Sequence, residues 1–260
     1  MKIALVDSGL GLLAAAAAVR RLRPDADLVL STDPDGMPWG RTPDHVADHA
    51  VAAAEAAAAY RPDALIVACN TASVHALPAL RARLEPDLPV IGTVPAIKPA
   101  AAGGGPVAIW ATPATTGSPY QRGLISDFAA GIEVTEVPCP GLADAVEHAD
   151  EAAIEKAIAA AAALTPADVR AVVMGCTHYE LVEELIREAL QQPDLPPLAL
   201  HGSAGAVAAQ ALRRINERPA PSATAEGSLT VLLSGQEAAL PETALTFAEG
   251  RLLAAVSPAQ

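Results

Sequence analysis

Short, largely apolar segments alternate with helix-forming segments along most of this chain. The apolar segments are residues 3–7, 27–32, 64–69 and 89–94 in the first half and residues 107–112, 132–138, 169–175 and 197–203 in the second half. Strands that are apolar along nearly their whole length are typical of parallel sheets covered by helices on both faces. The alternation therefore predicts an α/β fold. The segment 228–235 is predicted as a further strand that returns to the first half.

The segments between these strands have helix-forming sequences. Hydrophobic residues make up 52 % of the chain, and many of them are alanines, the best helix formers. Helices are predicted up to Leu22, over 43–60 and 71–84, from about Pro119, over 150–164, from about 180 to 191, and over 204–216. The glycine-rich stretch 101–106 is predicted as a flexible break between two halves with the same pattern. We therefore predict two similar open α/β domains with parallel sheets, one of residues 1–97 with 208–260 and one of residues 98–207.

Composition excludes several classes of protein. A net charge of −13 disfavours nucleic acid and anionic membranes as partners, and 3 % aromatic residues are too few for a base-stacking surface. The apolar run at the N-terminus is too short for a signal segment, and the sequence has no long uninterrupted apolar stretch, so we expect a cytoplasmic protein. Three cysteines in a chain of this size do not make a disulfide framework.

Two strands of the predicted fold end in the same way. ALIVAC ends in Cys69 and AVVMGC ends in Cys176, and hydrogen-bonding residues follow each cysteine. Ligands of open α/β sheets bind beyond the carboxyl ends of the strands, so two facing domains would share one cleft at these cysteines. A helix start there would offer backbone N–H groups to a carboxylate and lower the pKa of a thiol.

Other interpretations of these cysteines and histidines stay open. A buried cysteine is a common core residue, and Cys139 in PCPG is interpreted as loop or core. A zinc site is disfavoured because Cys-x-His lacks the usual spacing and no CxxC pair exists. His45 and His49 in HVADH lack the glutamate of HExxH, and we predict a solvated helix face for them.

Two opposed thiols suit proton transfer at a carbon stereocentre. One thiolate removes the α-hydrogen from one face while the other thiol donates a proton to the opposite face, and thiols titrate close to the operating pH. A pyridoxal phosphate route would need a Schiff-base lysine, for which Lys98 alone of the three lysines could serve. A thiol hydrolase would use one Cys–His pair and leave the second cysteine unexplained. A non-catalytic protein that binds an amino acid is the remaining alternative.

Five motifs together resemble the glutamate racemase branch of the cofactor-independent aspartate/glutamate racemase family. They are DSGLG, PWG at 38–40, ACNTAS, ATPATT and GCTHY, in the family's order and at similar spacing along essentially the whole chain. The resemblance implies two domains related by a pseudo-two-fold axis, with the active site in the cleft between them. It also implies that no cofactor is used and that dimerisation is frequent. The implied reaction is the interconversion of L- and D-glutamate, which supplies D-glutamate for peptidoglycan.

The resemblance also assigns roles to individual residues. Cys69 and Cys176 would be the two acid–base groups, with Asp7 assisting Cys69, and His178 and Glu147 assisting Cys176. Asn70, Thr71 and Thr177 would bind the α-carboxylate and ammonium groups, Ser8 and the backbone of Pro38, Trp39 and Gly40 the side-chain carboxylate, and Thr112 with Thr115 or Thr116 would line the second domain's side. Without the resemblance, Asp7 could be a turn acid, Glu147 a solvated helix residue and His178 a packed histidine.

Four positions depart from the family pattern. Leu12 stands where a second glycine is usual, Trp39 replaces a tyrosine, Ala114 replaces a frequent glycine, and His201 occupies the place of an aspartate. The catalytic pair can persist while the pocket for the distal carboxylate changes. Another acidic or polar amino acid therefore stays open as the substrate.

Overall fold

Two sheets organise the part of the chain that the computed structural model describes, which is residues 1–37, 42–193 and 196–255. The strands there are β1 (Lys2–Asp7), β2 (Asp27–Thr32), β3 (Ala64–Val67), β4 (Val90–Gly92), β5 (Val107–Ala111), β6 (Val134–Pro138), β7 (Ala171–Met174), β8 (Ala199–His201), β9 (Leu229–Leu233) and β10 (Gln236–Ala238). The α-helices there are α1 (Leu12–Leu22), α2 (Pro43–Ala58), α3 (Asn70–His75), α4 (Leu77–Leu84), α5 (Ile97–Ala102), α6 (Pro119–Phe128), α7 (Leu142–Glu147), α8 (Glu151–Leu164), α9 (Glu183–Leu190), α10 (Ala204–Arg214) and α11 (Ala248–Ala254). Short 3₁₀ helices span Pro34–Gly36, Thr177–Val182 and Glu242–Thr246.

The chain divides into two compact units. The first unit contains residues 1–94 and the chain from Ala204 onward, and the second unit contains Pro95–Ser203. Each unit has one sheet and its own core.

The sheet of the first unit has the strand order β10-β9-β2-β1-β3-β4. Its neighbouring strands are parallel except for β10, which runs antiparallel to β9 at the edge. Helices cover both faces. Ala4 and Val6 belong to a core cluster with residues of α2 and α4, whereas Ile3 and Leu5 alternate with them along β1 and are equally buried on the face that α1 covers.

The sheet of the second unit has the order β6-β5-β7-β8, and its neighbours are all parallel. Ile97 and Ala100 of α5 pack into a core cluster with Val107, Ile109 and Val173 of the sheet. The central strands β5 and β7 are fully or almost fully buried because helices lie on both sides of them. This burial explains why their sequences are continuously apolar.

The structure confirms the predicted α/β fold with parallel sheets, including the return of the chain near residue 229 to pair with β2. Some elements differ from the prediction. The predicted helix 71–84 is two helices, α3 and α4, separated at Ala76. Pro78 in the first turn of α4 explains the break, because a proline cannot donate the hydrogen bond that would continue α3. The predicted flexible break begins within α5, where Pro99 occupies the first turn and needs no intrahelical donor.

The described residues contain neither a membrane-spanning helix nor a cluster of candidate metal ligands. No helix within them combines the length and the apolar character that a membrane span requires. The same residues contain no group of three or more His, Cys, Asp or Glu side chains arranged to hold a metal ion.

Candidate active site

Asp7 and Cys69 lie at the same edge of the first sheet. Val6 of β1 is in register with Val67 of the adjacent parallel strand β3, and Ala68 continues the pairing by donating its N–H to the Val6 carbonyl oxygen at 2.9 Å. Asp7 follows Val6 directly, and Cys69 follows Ala68. Asp7 is fully buried and Cys69 is 7 % exposed. The parallel pairing therefore places a buried carboxylate and a thiol at the carboxyl ends of neighbouring strands.

Asp7 also organises the turn that follows β1. Its Oδ1 accepts a hydrogen bond from the Ser8 N–H at 2.6 Å, and the Ser8 hydroxyl lies 3.3 Å from the same oxygen. This is the turn-acid geometry that the sequence left open for Asp7. Such a geometry does not compete with a role beside Cys69, because the carboxylate has a second oxygen and further lone pairs.

The turn that carries Cys69 is braced by β4. Cys69 has extended backbone angles and is the N-cap of α3, and its carbonyl oxygen accepts the Ser73 N–H at 2.9 Å. Thr93 follows β4, donates its hydroxyl to the Val67 carbonyl oxygen at 2.7 Å, and donates its N–H to Ser73 Oγ at 2.8 Å. Asn70 is buried in this turn and Thr71 is half-buried. The sequence does not mark Thr93 as a site residue, although a threonine at the end of the apolar segment 89–94 is the signal that could have found it.

The second unit presents Cys176 with two partners in series. Cys176 precedes the 3₁₀ helix Thr177–Val182 with extended backbone angles, and its Sγ lies 3.8 Å from His178 Nδ1. His178 Nε2 lies 2.8 Å from Oε2 of Glu147, the last residue of α7. A carboxylate accepts but does not donate, so Nε2 carries the hydrogen and Nδ1 faces the sulfur. His178 is buried and Cys176 is half-buried, so the thiol is the accessible end of the series.

Gly175 allows the loop with Cys176 to lie close to β5. Its N–H donates to the Trp110 carbonyl oxygen at 2.7 Å. A Cβ atom at this position would lie 2.8 Å from that oxygen and 3.1 Å from the Cβ of Ala111. The glycine in GCTHY is therefore required by the close contact between the ends of β7 and β5.

The threonine loop follows β5 beside the strand that leads to Cys176. Trp110 of β5 and Met174 of β7 are in register, so Thr112 and Cys176 both follow that pair by two residues. The Thr112 hydroxyl lies 3.2 Å from the Thr115 hydroxyl, and the Thr116 hydroxyl donates to the Thr112 carbonyl oxygen at 3.0 Å. These threonines are half-buried, and their hydroxyls also stabilise their own loop.

A carboxylate that the sequence does not mark holds the other side of the cysteine loop. Glu180 lies in the 3₁₀ helix after Cys176 and accepts both the N–H and the hydroxyl of Ser203 at 2.7 Å. Its carboxylate occupies the space beside Gly202, where a Cβ would lie 2.3 Å from Oε2. The pair fixes the helix that contains Thr177 and His178 to the segment that follows β8.

Cys139 is a core residue. It is 1 % exposed, and burial raises the pKa of its thiol to about 12. The Tyr179 hydroxyl donates to the Cys139 carbonyl oxygen at 3.4 Å, and burial raises the pKa of this tyrosine as well. Both groups are neutral near pH 7, so neither supplies a thiolate or phenolate.

Of the positions that depart from the family pattern, three can be located. Leu12 is buried and lines an apolar cavity with Leu10, Leu13 and other apolar side chains of the first unit. Ala114 is exposed in the threonine loop. His201 ends β8 at the same sheet edge as Cys176, and burial lowers its pKa.

The structure thus gathers the predicted residues into two sets, one at the edge of each sheet. The first set is Asp7, Ser8, Cys69, Asn70 and Thr71, and the second is Thr112, Thr115, Thr116, Glu147, Cys176, Thr177 and His178. Pro38, Trp39 and Gly40, which were also predicted to bind substrate, lie outside the described residues.

The prediction of a solvated helix face for His45 and His49 is wrong. Both rings are half-buried on α2, with His49 Nδ1 2.7 Å from Asp33 Oδ2 and His45 Nε2 3.0 Å from the Gly36 carbonyl oxygen. The sequence pattern shows the helical spacing of the two histidines but not their partners, which precede the helix.

Comparison with known proteins places these features in one family. A model of the family described as Asp/Glu/Hydantoin racemase matches residues 11–205. The chain is 38 % identical over 191 residues to the glutamate racemase of Roseiflexus sp. (strain RS-1), covering 71 % of this chain and 70 % of the relative. It is 36 % identical over 220 residues to that of Granulibacter bethesdensis (strain ATCC BAA-1260 / CGDNIH1), covering 81 % and 77 %. The crystal structure of Escherichia coli glutamate racemase, in complex with L-glutamate and the activator UDP-MurNAc-ala, is similar with a TM-score of 0.79 and 26 % identity, covering 97 % of this chain and 92 % of that one.

Proposed function

The chain belongs to the Asp/Glu/Hydantoin racemase family, and on that premise we propose that it interconverts L- and D-glutamate by proton transfer between two cysteines. Its relatives in Roseiflexus and Granulibacter are glutamate racemases, and the similar Escherichia coli enzyme binds L-glutamate. Membership of the family agrees with the resemblance that the five motifs carry.

The observation that carries the mechanism is the series Glu147–His178–Cys176. Two hydrogen-bond distances, 2.8 Å and 3.8 Å, connect a carboxylate through an imidazole to a half-buried thiol. When Nδ1 takes the thiol proton, the resulting imidazolium is stabilised by Glu147, and a thiolate is left to act as the base. When the proton returns, the thiol is restored as the acid. A cysteine that served only as core filler would not need these partners.

We propose that Cys69 and Cys176 act on opposite faces of one substrate α-carbon. In one direction a thiolate removes the α-hydrogen, which breaks the C–H bond and leaves the electron pair on the α-carbon. The other thiol then donates its proton to the opposite face of that carbon, which inverts the configuration. The reverse direction exchanges the two roles, so the net reaction needs no added acid, base or cofactor.

The remaining polar residues are assigned to binding and proton handling. Asp7 assists Cys69, because the two lie at the carboxyl ends of adjacent strands. Asn70, Thr71 and Thr177 bind the α-carboxylate and ammonium groups, Ser8 and the backbone of residues 38–40 bind the side-chain carboxylate, and Thr112 with Thr115 or Thr116 lines the side of the second unit.

A second candidate keeps the chemistry and changes the substrate. Leu12 replaces a glycine that is usual in the family, and it lines an apolar cavity together with Leu10 and Leu13. Trp39 keeps the alternative of another acidic or polar amino acid open.

The cellular role follows from the reaction. We propose that the protein acts in the cytoplasm and supplies D-glutamate for the peptidoglycan peptide. Assembly as a homodimer is part of the same proposal and is supported only by the resemblance to the family.

A panel of single enantiomers tests the substrate assignment. Purified protein is incubated with L-glutamate, D-glutamate and other acidic or polar amino acids, and the circular dichroism of each is followed. We expect the circular dichroism of both glutamate enantiomers to decay to zero. An unchanged glutamate signal, with decay for another amino acid, would establish the second candidate instead. No decay for any of them, with no exchange of the α-hydrogen in heavy water, would indicate a protein that only binds.

A further inference from the structure

Asp33 connects three elements of the first unit around the Ser8 turn. Its N–H donates to the Ser8 carbonyl oxygen at 3.1 Å. Its carboxylate lies 2.7 Å from His49 Nδ1 on α2 through Oδ2, and 3.3 Å from the Ser234 hydroxyl, just after β9, through Oδ1. Asp33 therefore fixes the turn after β1 to a helix and to a strand that are distant in sequence.

The contact between His49 and Asp33 is a directed hydrogen bond. Because a carboxylate only accepts, the Nδ1–H of His49 is the donor. The Asp33 side chain is 9 % exposed and the His49 side chain is 36 % exposed, so water competes little at the carboxylate end. Hydrogen bonds to an ionised acceptor in such a place are stronger than neutral ones.

Gly36 gives independent evidence that this hydrogen bond is part of the built structure. A Cβ at Gly36 would lie 2.0 Å from Asp33 Oδ2 and 2.2 Å from His49 Nδ1. The backbone therefore packs directly on the two bonded atoms, which a larger residue would prevent. One turn earlier on α2, His45 Nε2 contacts the Gly36 carbonyl oxygen at 3.0 Å, so the helix holds the segment Asp33–Gly36 at two points.

We infer that His49 is a positioning residue for substrate binding, which acts through Asp33 on the Ser8 turn. The Asp33 carboxylate is oriented by His49, and the Asp33 backbone N–H holds the Ser8 carbonyl oxygen, and with it the backbone of the turn that carries the Ser8 side chain. The inference rests on the proposed function, in which Ser8 binds the side-chain carboxylate of glutamate. It adds a residue of α2 that does not itself touch the substrate.

The kinetic consequence follows from where Ser8 acts. The side-chain carboxylate is remote from the reacting α-carbon, and its charge is the same in the ground state and the transition state. Loss of such an interaction weakens both states equally, so it raises KM and leaves kcat unchanged. A merely structural role for His49 would lower stability or the amount of active enzyme without this separation.

The test compares three substitutions on α2 and one beside it. His49→Leu removes the donor, His49→Asn keeps an N–H near the position of Nδ1, and Asp48→Leu changes the adjacent exposed residue as a matched control. We expect His49→Leu to raise KM for glutamate about tenfold with kcat within about twofold, because the displaced Ser8 turn loses its hydrogen bond to the charged side-chain carboxylate of the substrate. His49→Asn should have a KM between those of His49→Leu and the unmodified protein, and Asp48→Leu should have the KM of the unmodified protein. Gly36→Ala, which displaces the same pair from the other side, should raise KM in the same way.

Hydrogen exchange gives a readout that does not depend on activity. The Asp33 amide, which donates to Ser8, should exchange about tenfold faster in His49→Leu than in Asp48→Leu. Unchanged exchange overturns the inference whether or not the protein racemises glutamate. Faster exchange with an unchanged KM in active enzyme also overturns it. If the unmodified protein fails to racemise glutamate, the proposed function fails, and the exchange rates alone then decide whether His49 holds the Ser8 turn.

Discussion

His178 donates its Nε2–H to Glu147 across 2.8 Å, and this hydrogen bond leaves the other ring nitrogen facing the sulfur of Cys176 at 3.8 Å. The carboxylate thus selects the tautomer in which the histidine can accept the thiol proton. It also stabilises the imidazolium that forms on transfer. The sequence places these three residues in two separate segments, and the contact of α7 with the 3₁₀ helix after Cys176 brings them together.

Replacement of Glu147 by glutamine should slow the reaction without weakening binding. The amide oxygen can still accept the Nε2–H, but the negative charge that stabilises the imidazolium is lost. We expect kcat for racemisation to fall at least about tenfold, with KM within about threefold. Steady-state kinetics in both directions measure this.

Asp144→Asn is the matched control for that substitution, because Asp144 is an exposed carboxylate on the same helix. Its kcat should equal that of the unmodified protein. A normal kcat for Glu147→Gln, or an equal loss for Asp144→Asn, would contradict the assignment of Glu147.

A methyl group at position 175 should destabilise the loop that carries Cys176. A Cβ there meets the Trp110 carbonyl oxygen at 2.8 Å, so Gly175→Ala must move backbone. We expect a loss of about 1–3 kcal/mol in the free energy of unfolding, the usual effect of overpacking, together with reduced activity. Urea denaturation measures the first and racemisation the second.

Gly205→Ala provides the comparison, since nothing lies within 4 Å of a Cβ at that exposed position of α10. Alanine is the better helix former, so this variant should be unchanged or more stable by up to about 1 kcal/mol. Equal stabilities for the two variants would show that the loop does not need glycine at position 175.

Cys139 and Cys176 of the second unit differ in their environment, and alkylation should distinguish them. Burial disfavours the charged form of the Cys139 thiol and raises its pKa to about 12, so at pH 8 only about one molecule in 10⁴ carries the reactive thiolate. Iodoacetamide at pH 8 should therefore modify half-buried Cys176 in the native protein and leave Cys139 intact. In urea both should react.

Peptide mass spectrometry after each treatment gives the extent of modification at each cysteine. Native Cys139 reacting as fast as it does in urea would contradict the core assignment, since it would require an accessible thiolate.

The sequence predicts the parts of the fold that depend on local pattern. Continuous apolar runs indicate buried parallel strands, and β1, β2, β5 and β7 were found within a residue or two of the predicted ranges. Short elements such as α5, α7 and β10 carry too few residues for a period to be visible, and their positions depend on tertiary packing. The helix boundary at Ala76 depends on a single proline inside an otherwise helical pattern.

The same limit applies to the site. The strand ends at ACNTAS and GCTHY can be located from the sequence, because each motif directly follows the apolar run of its strand in the chain. The bonds of Asp33 with His49 and of Thr93 with Val67 join residues that are separated by other elements, and no local period links them. From the sequence alone, His49 is therefore interpreted as a solvated helix residue, because its partner Asp33 is brought to it only by the fold.

The most direct test of the central claim, that two thiols act on one α-carbon, is racemisation of L-glutamate in heavy water by the unmodified protein, Cys69→Ser and Cys176→Ser. Circular dichroism follows the configuration, and proton NMR follows deuterium at the α-carbon. We expect the unmodified protein to form D-glutamate that carries deuterium at that carbon. Each variant should racemise at least about 10³-fold more slowly, because a serine hydroxyl is a far weaker acid than a thiol. A variant that racemises L-glutamate at the unmodified rate would contradict the claim.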